Sequence, residues 1–170
     1  MTLQSRLIDV SFQLATGEFG QNLGSVVTYS GLRCEASINN VGGAALNALQ
    51  FRVYGMKEST MSQLSTLGLT VLESLRNVIT VSASNKFGGM TQVFQGTIAQ
   101  AWTDYRGAPE VSFNVEAYAG FHEQLKAIAV NSYKGVTDVA TVIKALAESI
   151  GFSFTNNGVN AQLASPYFAG

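Results

Sequence analysis

Regular alternation of apolar and polar residues is the feature that most constrains how this 170-residue chain folds. It recurs in four segments between Gly31 and Gly120. The apolar members of the four segments are Leu32, Cys34, Ala36 and Ile38; Leu49, Phe51 and Val53; Ile79, Val81 and Ala83; and Val111, Phe113, Val115 and Ala117. Successive side chains of a β-strand point to opposite faces of its sheet, so a period of two indicates a strand with one buried face. The chain is therefore predicted to be mainly β.

Three longer segments are predicted to be strands on the same grounds. They cover residues 7–14, 26–39 and 91–105, and the second contains the first of the four alternating segments. The second is expected to continue through Gly31 with a bulge at that glycine. The third is expected to place Phe94, Gly96, Ile98 and Trp102 roughly on one face. Together these patterns indicate six strands in the first 120 residues, which favours an antiparallel sheet.

A short helix is predicted between two of these strands. Thr60 and Gln63 have the spacing of a capping box, and Met61 begins a narrow apolar stripe that continues through Leu64 and Leu67. Gly68 is a natural residue to end such a helix. The fold expected for residues 1–120 is thus an antiparallel β-barrel or sandwich with one flanking helix.

The character of the sequence changes over residues 121–170. Thr137 is expected to N-cap an amphipathic helix that closes at Gly151, and residues 152–158 are expected to form a strand and a tight turn. This segment is interpreted as a small helix-plus-hairpin module or as the start of a second domain. One helix and one hairpin bury little apolar surface. The module is therefore expected to dock on the sheet, on a neighbouring subunit or on further sequence.

The composition favours a protein that is buried in an assembly. Charged residues make up only 12% of the chain, against roughly 25% in typical soluble domains. A surface that is polar without being charged loses its water more cheaply. The net charge is −1 and the ten basic residues are scattered, which argues against a nucleic-acid-binding patch or an anionic membrane surface. With no signal peptide and no membrane span in the sequence, we expect a soluble protein made in a reducing cytosol.

Residues capable of catalysis or metal binding are few. His122 is the sole histidine, so one chain does not supply a histidine metal site, and no Ser-His triad is evident. Cys34 is the sole cysteine and is interpreted as a small core residue. Glu35 and Glu116 lie mid-strand and would form a carboxylate pair if they faced one another, but a solvated sheet face is the preferred interpretation. No catalytic residue, cofactor or metal ligand is predicted.

Two other patterns are also interpreted as structural. The glycine-bearing segment 17–24 carries no lysine and lies in no strand-to-helix context, which does not fit a phosphate-binding loop. Four aromatic residues are interpreted as core or interface anchors rather than a base-stacking platform, since basic residues are lacking nearby. They are Phe94, Trp102, Tyr105 and Phe113.

Four segments, taken in their order along the chain, carry a resemblance to a known family. They are NALQFRVYGM at 47–56, TMSQLSTLG at 60–68, VFQGTI at 93–98, and PEVSFNVEAYAG at 109–120 leading to Asp138-Val139-Ala140. In this order the chain resembles the baseplate hub protein of contractile-tailed bacteriophages. The resemblance implies a domain similar to the tail-tube fold. Hubs of this type carry a second tube-like domain, so this chain is expected to be a piece of a longer hub or a reduced one.

The same resemblance implies a function and a set of partners. It implies a homotrimer that forms a ring between the tail tube protein and the central spike protein, surrounded by other baseplate proteins. The ring would enclose a channel through which DNA passes, and would receive the end of the tape-measure protein. It implies no enzymatic activity and no membrane insertion. The expected location is the virion, in the tail baseplate, after synthesis in the cytoplasm of the host bacterium.

Two other functions stay open at this stage. A tail-tube or tube-initiator protein shares the same core fold, although a plain tube subunit has no need of the helix at 137–150. An enzyme or a ligand-binding β-barrel, with a peptidoglycan hydrolase as the specific case, requires a deep pocket with convergent polar groups.

Overall fold

The computed structural model describes residues 7–20, 24–41, 45–66, 77–84, 89–124 and 129–168 of the chain. Their contacts divide the protein into two compact units, Met1–His122 and Glu123–Gly170. No helix among the described residues is long and apolar enough to cross a membrane.

The first unit is built on one antiparallel sheet of seven strands. Its elements are β1 (Ile8–Gln13), β2 (Val26–Ser30), β3 (Cys34–Asn39), β4 (Ala48–Tyr54), α1 (Glu58–Leu64), β5 (Val78–Ser84), β6 (Met90–Asp104) and β7 (Ser112–Tyr118), and a short helix α2 (Phe121–Gln124) follows. The strand order across the sheet is β2-β1-β5-β6-β7-β4-β3. The prediction of a mainly β, antiparallel fold is confirmed.

The sheet curls strongly but does not close into a barrel. Its two edge strands, β2 and β3, are consecutive in the chain, and among the described residues no ladder of hydrogen bonds joins them. The link from Ser30 to Cys34 spans at most about 14 Å, whereas the edges of a flat seven-stranded sheet lie about 29 Å apart. The sheet therefore bends round until its edges approach at this corner. A closed barrel is the part of the expected fold that the structure corrects.

The same link corrects the single strand predicted over residues 26–39. Gly31 adopts a φ of +70°, in the left-handed region that glycine enters without a steric penalty. The chain turns there and crosses from one edge of the sheet to the other, so one predicted strand is two strands on opposite edges. Each half keeps a row of side chains against the core, with Val27 and Tyr29 from β2 and Cys34 and Ile38 from β3, but the phase of the alternation shifts by one residue at the turn.

The core lies on the concave face of the curled sheet. The ring of Phe12 on β1 meets the ring of Phe113 on β7 edge-to-face at 6.3 Å between centroids, although two strands separate them in the sheet. Both side chains are fully buried. Phe19, from the glycine-bearing segment, fills the same core and is 1% exposed. Burial of these aromatic side chains supplies a large share of the driving force for folding.

Helix α1 covers part of this core, and it differs in detail from the prediction. It begins at Glu58 after Lys57, which makes no side-chain cap, so the capping box expected from Thr60 and Gln63 is wrong. Thr60 is instead buried, and its hydroxyl accepts a hydrogen bond from the Tyr29 hydroxyl at 3.1 Å. Met61 and Leu64 are buried as predicted. The helix ends at Leu64, with Ser65 in an extended conformation, so the predicted continuation to Gly68 is wrong; Leu67 and Gly68 themselves lie outside the described residues.

Within residues 129–168, the second unit contains one helix and two very short ladders. Its elements are β8 (Asn131–Ser132), β9 (Val136–Asp138), α3 (Val139–Ser149), β10 (Gln162–Ala164) and β11 (Tyr167–Phe168), with β9 pairing β10 and β8 pairing β11. The N-cap of α3 is Asp138, whose carboxylate accepts from the Ala140 N–H at 3.2 Å, and not Thr137 as predicted. The strand expected at residues 152–154 is also wrong, because that segment has no strand pairing.

Candidate functional site

A β-bulge in strand β6 decides which side chains reach the convex, outer face of the sheet. Ile98 pairs with Ala117 and Gln100 pairs with Glu116, so Ala99 is an extra residue with no partner on β7. One extra residue exchanges the two faces for the rest of the strand. Ala101 is consequently buried in the core and Trp102 is displayed on the outer face, half-buried. The expectation that Ile98 and Trp102 share a face is wrong for this reason.

The backbone around the bulge is held by the segment that follows α1. The Thr66 N–H donates to the Ala101 carbonyl at 2.9 Å, and the Ala101 N–H donates to the Thr66 hydroxyl at 2.9 Å. Strand β5 begins only at Val78, so it does not extend along this half of β6. Thr66 satisfies backbone groups that a neighbouring strand would otherwise pair. This fixes the direction in which Trp102 points.

From Trp102 a row of polar side chains crosses the outer face of four neighbouring strands. The register places Trp102 opposite Asn114, Asn114 opposite Arg52, and Arg52 opposite Glu35. A parallel row lies two residues further along, formed by Gln100, Glu116, Gln50 and Ser37. Neighbouring strands lie about 4.8 Å apart, so members of one row are adjacent side chains.

The centre of the first row is fixed by hydrogen bonds. Asn114 is only 6% exposed although it lies on the outer face. Its side-chain oxygen accepts from Arg52 Nε at 2.8 Å, and its amide nitrogen donates to Ser112 Oγ at 3.4 Å. Glu35 lies on the other side of Arg52, with 4.0 Å between Glu35 Oε2 and an Arg52 terminal nitrogen. Asn114 and Arg52 are thus held in place from two sides.

The two rows line a shallow depression of ≈ 350 Å³ on the outer face. The side chains that reach it from the two rows are Glu35, Ser37, Gln50, Arg52, Trp102, Asn114 and Glu116. Glu116 is half-buried and forms no ion pair with any described residue. The depression therefore combines one aromatic ring with hydrogen-bond donors and acceptors.

Glu35 and Glu116, considered in the sequence analysis as a possible carboxylate pair, do not form one in the structure. Glu35 lies on β3 and Glu116 on β7, with the whole of β4 between them. Arg52 stands beside Glu35, and Glu116 stands opposite Gln50. Glycoside hydrolysis needs two carboxylates that face one another across a cleft. Glu35 and Glu116 share the outer face and do not have this arrangement.

A second depression, of ≈ 460 Å³, lies at the corner where the sheet edges approach. Arg33 crosses its rim, with its guanidinium 4.4 Å from the centre of the Tyr54 ring and 3.0 Å from Glu110 Oε2. Met56 and Met61 contribute an apolar floor. The Arg33–Glu110 pair is mostly exposed, so it contributes little to stability.

The hairpin between β6 and β7 carries a charged pair at its tip. Arg106 donates to both carboxylate oxygens of Asp104, at 3.0 and 2.8 Å, and its backbone N–H also donates to Asp104. These hydrogen bonds stabilise the ionised carboxylate and lower the pKa of Asp104 to about 2. Tyr105, between the two, is 56% exposed and takes no part in the core.

The remaining candidates occupy structural positions. Phe94 and Phe113 are buried in the core, as predicted for two of the four aromatic residues. Cys34 packs at the core margin, and partial burial raises the pKa of its thiol. His122 is half-buried on α2. Within the described residues, no three His, Cys, Asp or Glu side chains converge as metal ligands do.

Comparison with known proteins identifies no family for this chain. A scan of protein families and a search of curated proteins both find no match. Among solved structures, the chain is similar to one from the Francisella PdpA-VgrG complex in its lidded form, with a TM-score of 0.48 and 12% sequence identity. The similarity covers 97% of this chain and 23% of that one. The chain thus spans about a quarter of the length of that structural neighbour.

Proposed function

We propose that this chain is a structural component of a phage tail baseplate, the hub ring that connects the tail tube to the central spike. Three copies surround a channel through which DNA passes. The observation that carries the proposal is the spatial arrangement of the four segments in which the sequence resembles baseplate hub proteins. This observation is made on the first unit of the protein.

Apart from Asp138-Val139-Ala140, which belongs to the second unit, the described residues of those segments form one contiguous part of the sheet unit. Residues 47–56 provide β4, residues 93–98 lie in β6 and residues 109–120 provide β7, and these strands are neighbours in the order β6-β7-β4. Residues 60–66 provide most of α1 and its exit, which hydrogen-bonds to β6 at Ala101. Segments scattered along the chain thus build one structural block, as expected if the resemblance is to a domain and not to isolated motifs.

The edges of the sheet supply surfaces suited to assembly. β2 and β3 each have one side unpaired among the described strands, and unpaired backbone groups of an edge strand readily accept a strand from another chain. Val26 on β2 is 48% exposed. Only 12% of the residues are charged, which lowers the cost of removing water from the contact surfaces.

The proposed partners follow from this role. They are two further copies of the chain, the tail tube protein, the spike protein, the tape-measure protein and other baseplate proteins. The net charge of −1 suits a channel that lets DNA slide through without binding it. We propose that the chain acts in the virion and has no enzymatic activity.

The molar mass of the full chain in solution, measured by light scattering after size-exclusion chromatography, tests this proposal. A trimer of the 18.1 kDa chain is the expected result. A hexamer or an open polymer would favour a tail-tube or tube-initiator protein instead. A strict monomer at every concentration would contradict the ring.

Edge variants test whether the sheet edges make the contacts. Val26→Lys on β2 and Ala36→Lys on β3 add a charge at exposed edge positions and are expected to shift the trimer towards monomer. Thr80→Lys adds the same charge on β5 at a residue that pairs with β1 on one side and with β6 on the other, and is expected to leave the mass unchanged. If all three variants remain trimeric, the sheet edges do not form the contacts between subunits.

A further inference from the structure

We propose that the depression around Trp102 is a binding site for an uncharged saccharide. This inference concerns the outer face of the sheet and does not depend on the ring. It rests on the way the fold displays Trp102, on the hydrogen-bonding groups beside it and on the local charge.

A β-bulge places the aromatic ring of Trp102 on a polar surface. The Ala99 bulge turns Trp102 out of the core, and Thr66 holds the backbone of the preceding residue in that conformation. A tryptophan in a merely structural role would gain more by remaining on the buried face. Bulges often redirect a side chain next to a functional site. An indole ring set in a polar surface matches the C–H face of a sugar ring, which needs apolar contact on one side only.

The groups beside Trp102 offer both donors and acceptors. Gln50 contributes an amide, and Glu116 contributes a carboxylate that forms no ion pair with any described residue. Arg52 contributes guanidinium N–H groups beyond the one it gives to Asn114. A sugar hydroxyl both donates and accepts, so it is satisfied by such a mixed set. Asn114 is buried and bonded on both sides, which keeps Arg52 in place before any ligand arrives. Preorganisation of this kind lowers the entropic cost of binding.

The local charge disfavours the other small polar ligands. The lining carries one positive group, Arg52, against two negative groups, Glu35 and Glu116. Glu35, 4.0 Å from Arg52, offsets the charge of that guanidinium, so the site disfavours a phosphate or carboxylate although Arg52 keeps N–H groups for a hydroxyl. A lining of this polarity also disfavours an apolar ligand. The volume of ≈ 350 Å³ lies at the lower end of the range for ligand sites, roughly 300–1,000 Å³, which suits one or two sugar rings.

The test uses the fact that Trp102 is the only tryptophan of the chain. Its fluorescence therefore reports on this depression alone. The full chain is titrated with neutral tetrasaccharides of glucose, mannose, galactose and N-acetylglucosamine. At least one is expected to produce a saturable change in emission, because a ring stacked on the indole displaces water from it. No saturable change with any of the four, up to the limit of their solubility, would overturn the proposal.

Variants show whether binding depends on the proposed groups. With saturation-transfer NMR as the readout, Trp102→Ala is expected to weaken binding at least about tenfold, the equivalent of about 1.4 kcal/mol. Glu116→Gln keeps the shape of the site and is expected to weaken saccharide binding several-fold. Tyr105→Ala removes an exposed aromatic ring outside the depression and is expected to bind as well as the wild-type chain.

Two outcomes of these variants would overturn the site. One is unchanged binding after both Trp102→Ala and Glu116→Gln. The other is Trp102 emission that changes with protein concentration but not with sugar, because the face would then be a contact between copies of the chain.

Discussion

The two units of this protein differ in where their apolar side chains lie. In the described part of the sheet unit, eighteen hydrophobic side chains are buried in one continuous core. In the described part of the second unit, Val142 is the one large hydrophobic side chain that is buried. The second unit instead exposes seven large hydrophobic side chains. They are Val130, Val136, Ile143, Phe152, Val159, Leu163 and Tyr167.

This difference indicates that the two units differ in their intrinsic stability. Burial of apolar surface is the main stabilising term in folding, so the sheet unit has the means to be stable by itself. The ladders of the second unit pair only three and two residues, and two-stranded ladders are marginal when isolated. We therefore propose that the sheet unit is the rigid scaffold and that the second unit gains stability from what it contacts.

Removal of a large core side chain should give the largest effect. Phe113→Ala deletes a ring that is fully buried against Phe12, and the expected loss of stability is about 3–5 kcal/mol. Phe152→Ala, in the second unit, deletes a ring that is 46% exposed, and the expected loss is below about 0.5 kcal/mol. Urea unfolding followed by circular dichroism measures both. Equal losses of stability in the two variants would contradict the proposed difference between the units.

A matched pair of valines sharpens the comparison. Val53 in the sheet and Val142 on α3 are 0% and 1% exposed. Val53→Ala should lower the unfolding free energy of the sheet unit by about 1.5–2.5 kcal/mol. Val142→Ala should leave that transition unchanged and should speed amide exchange only in residues 129–168. Hydrogen exchange read by mass spectrometry resolves the two units. Faster exchange in β4 of Val142→Ala would show that the units fold as one.

Gly96 tests how tightly the sheet is curled. A Cβ atom at this position would lie 2.8 Å from the Phe94 ring and 2.8 Å from the backbone of Tyr118. Gly96→Ala is therefore expected to cost about 1–3 kcal/mol through overpacking, measured by thermal unfolding. Thr91→Ala, at an exposed position on the same strand, serves as the control and should change little. An unchanged melting temperature in Gly96→Ala would mean that the strands lie further apart.

The smallest effect is expected at the exposed hairpin tip. Asp104 has its pKa lowered from 3.8 to about 2 by hydrogen bonds from Arg106. Because the folded-state pKa lies below the unfolded one, the contribution of Asp104 is present above about pH 4 and is lost as the pH falls through about 2. Carbon-detected NMR should place its titration near pH 2, and Arg106→Gln should return it towards 3.8. An unshifted titration in the wild-type chain would contradict the bidentate pair.

The sequence predicted the strands well because one side of the sheet is buried. The alternation of Leu49, Phe51 and Val53 on β4 and of Ile79 and Val81 on β5 maps directly onto buried positions. Such rows leave a period of two in the sequence whatever the order of the strands. The antiparallel pairing of β3 with β4 also followed from their short connection.

The features that shape the candidate site leave no such period. The Ala99 bulge adds one residue to an alternating strand, and only the pairing with β7 reveals it. Trp102 was therefore assigned to the wrong face. At Gly31 the alternation shifts by one residue, and a bulge within one strand leaves the same shift as a turn that takes the chain to the other edge of the sheet. The four-residue row from Glu35 to Trp102 depends on the order of strands in space, which a local pattern does not contain.

The most direct test of the central proposal is a cryo-electron-microscopy reconstruction of the assembled full chain. The account predicts a threefold ring around an open channel, built from the curled sheet units through their β2 and β3 edges. A particle without a channel, or a ring held together by residues 123–170 while the sheet edges face solvent, would contradict it.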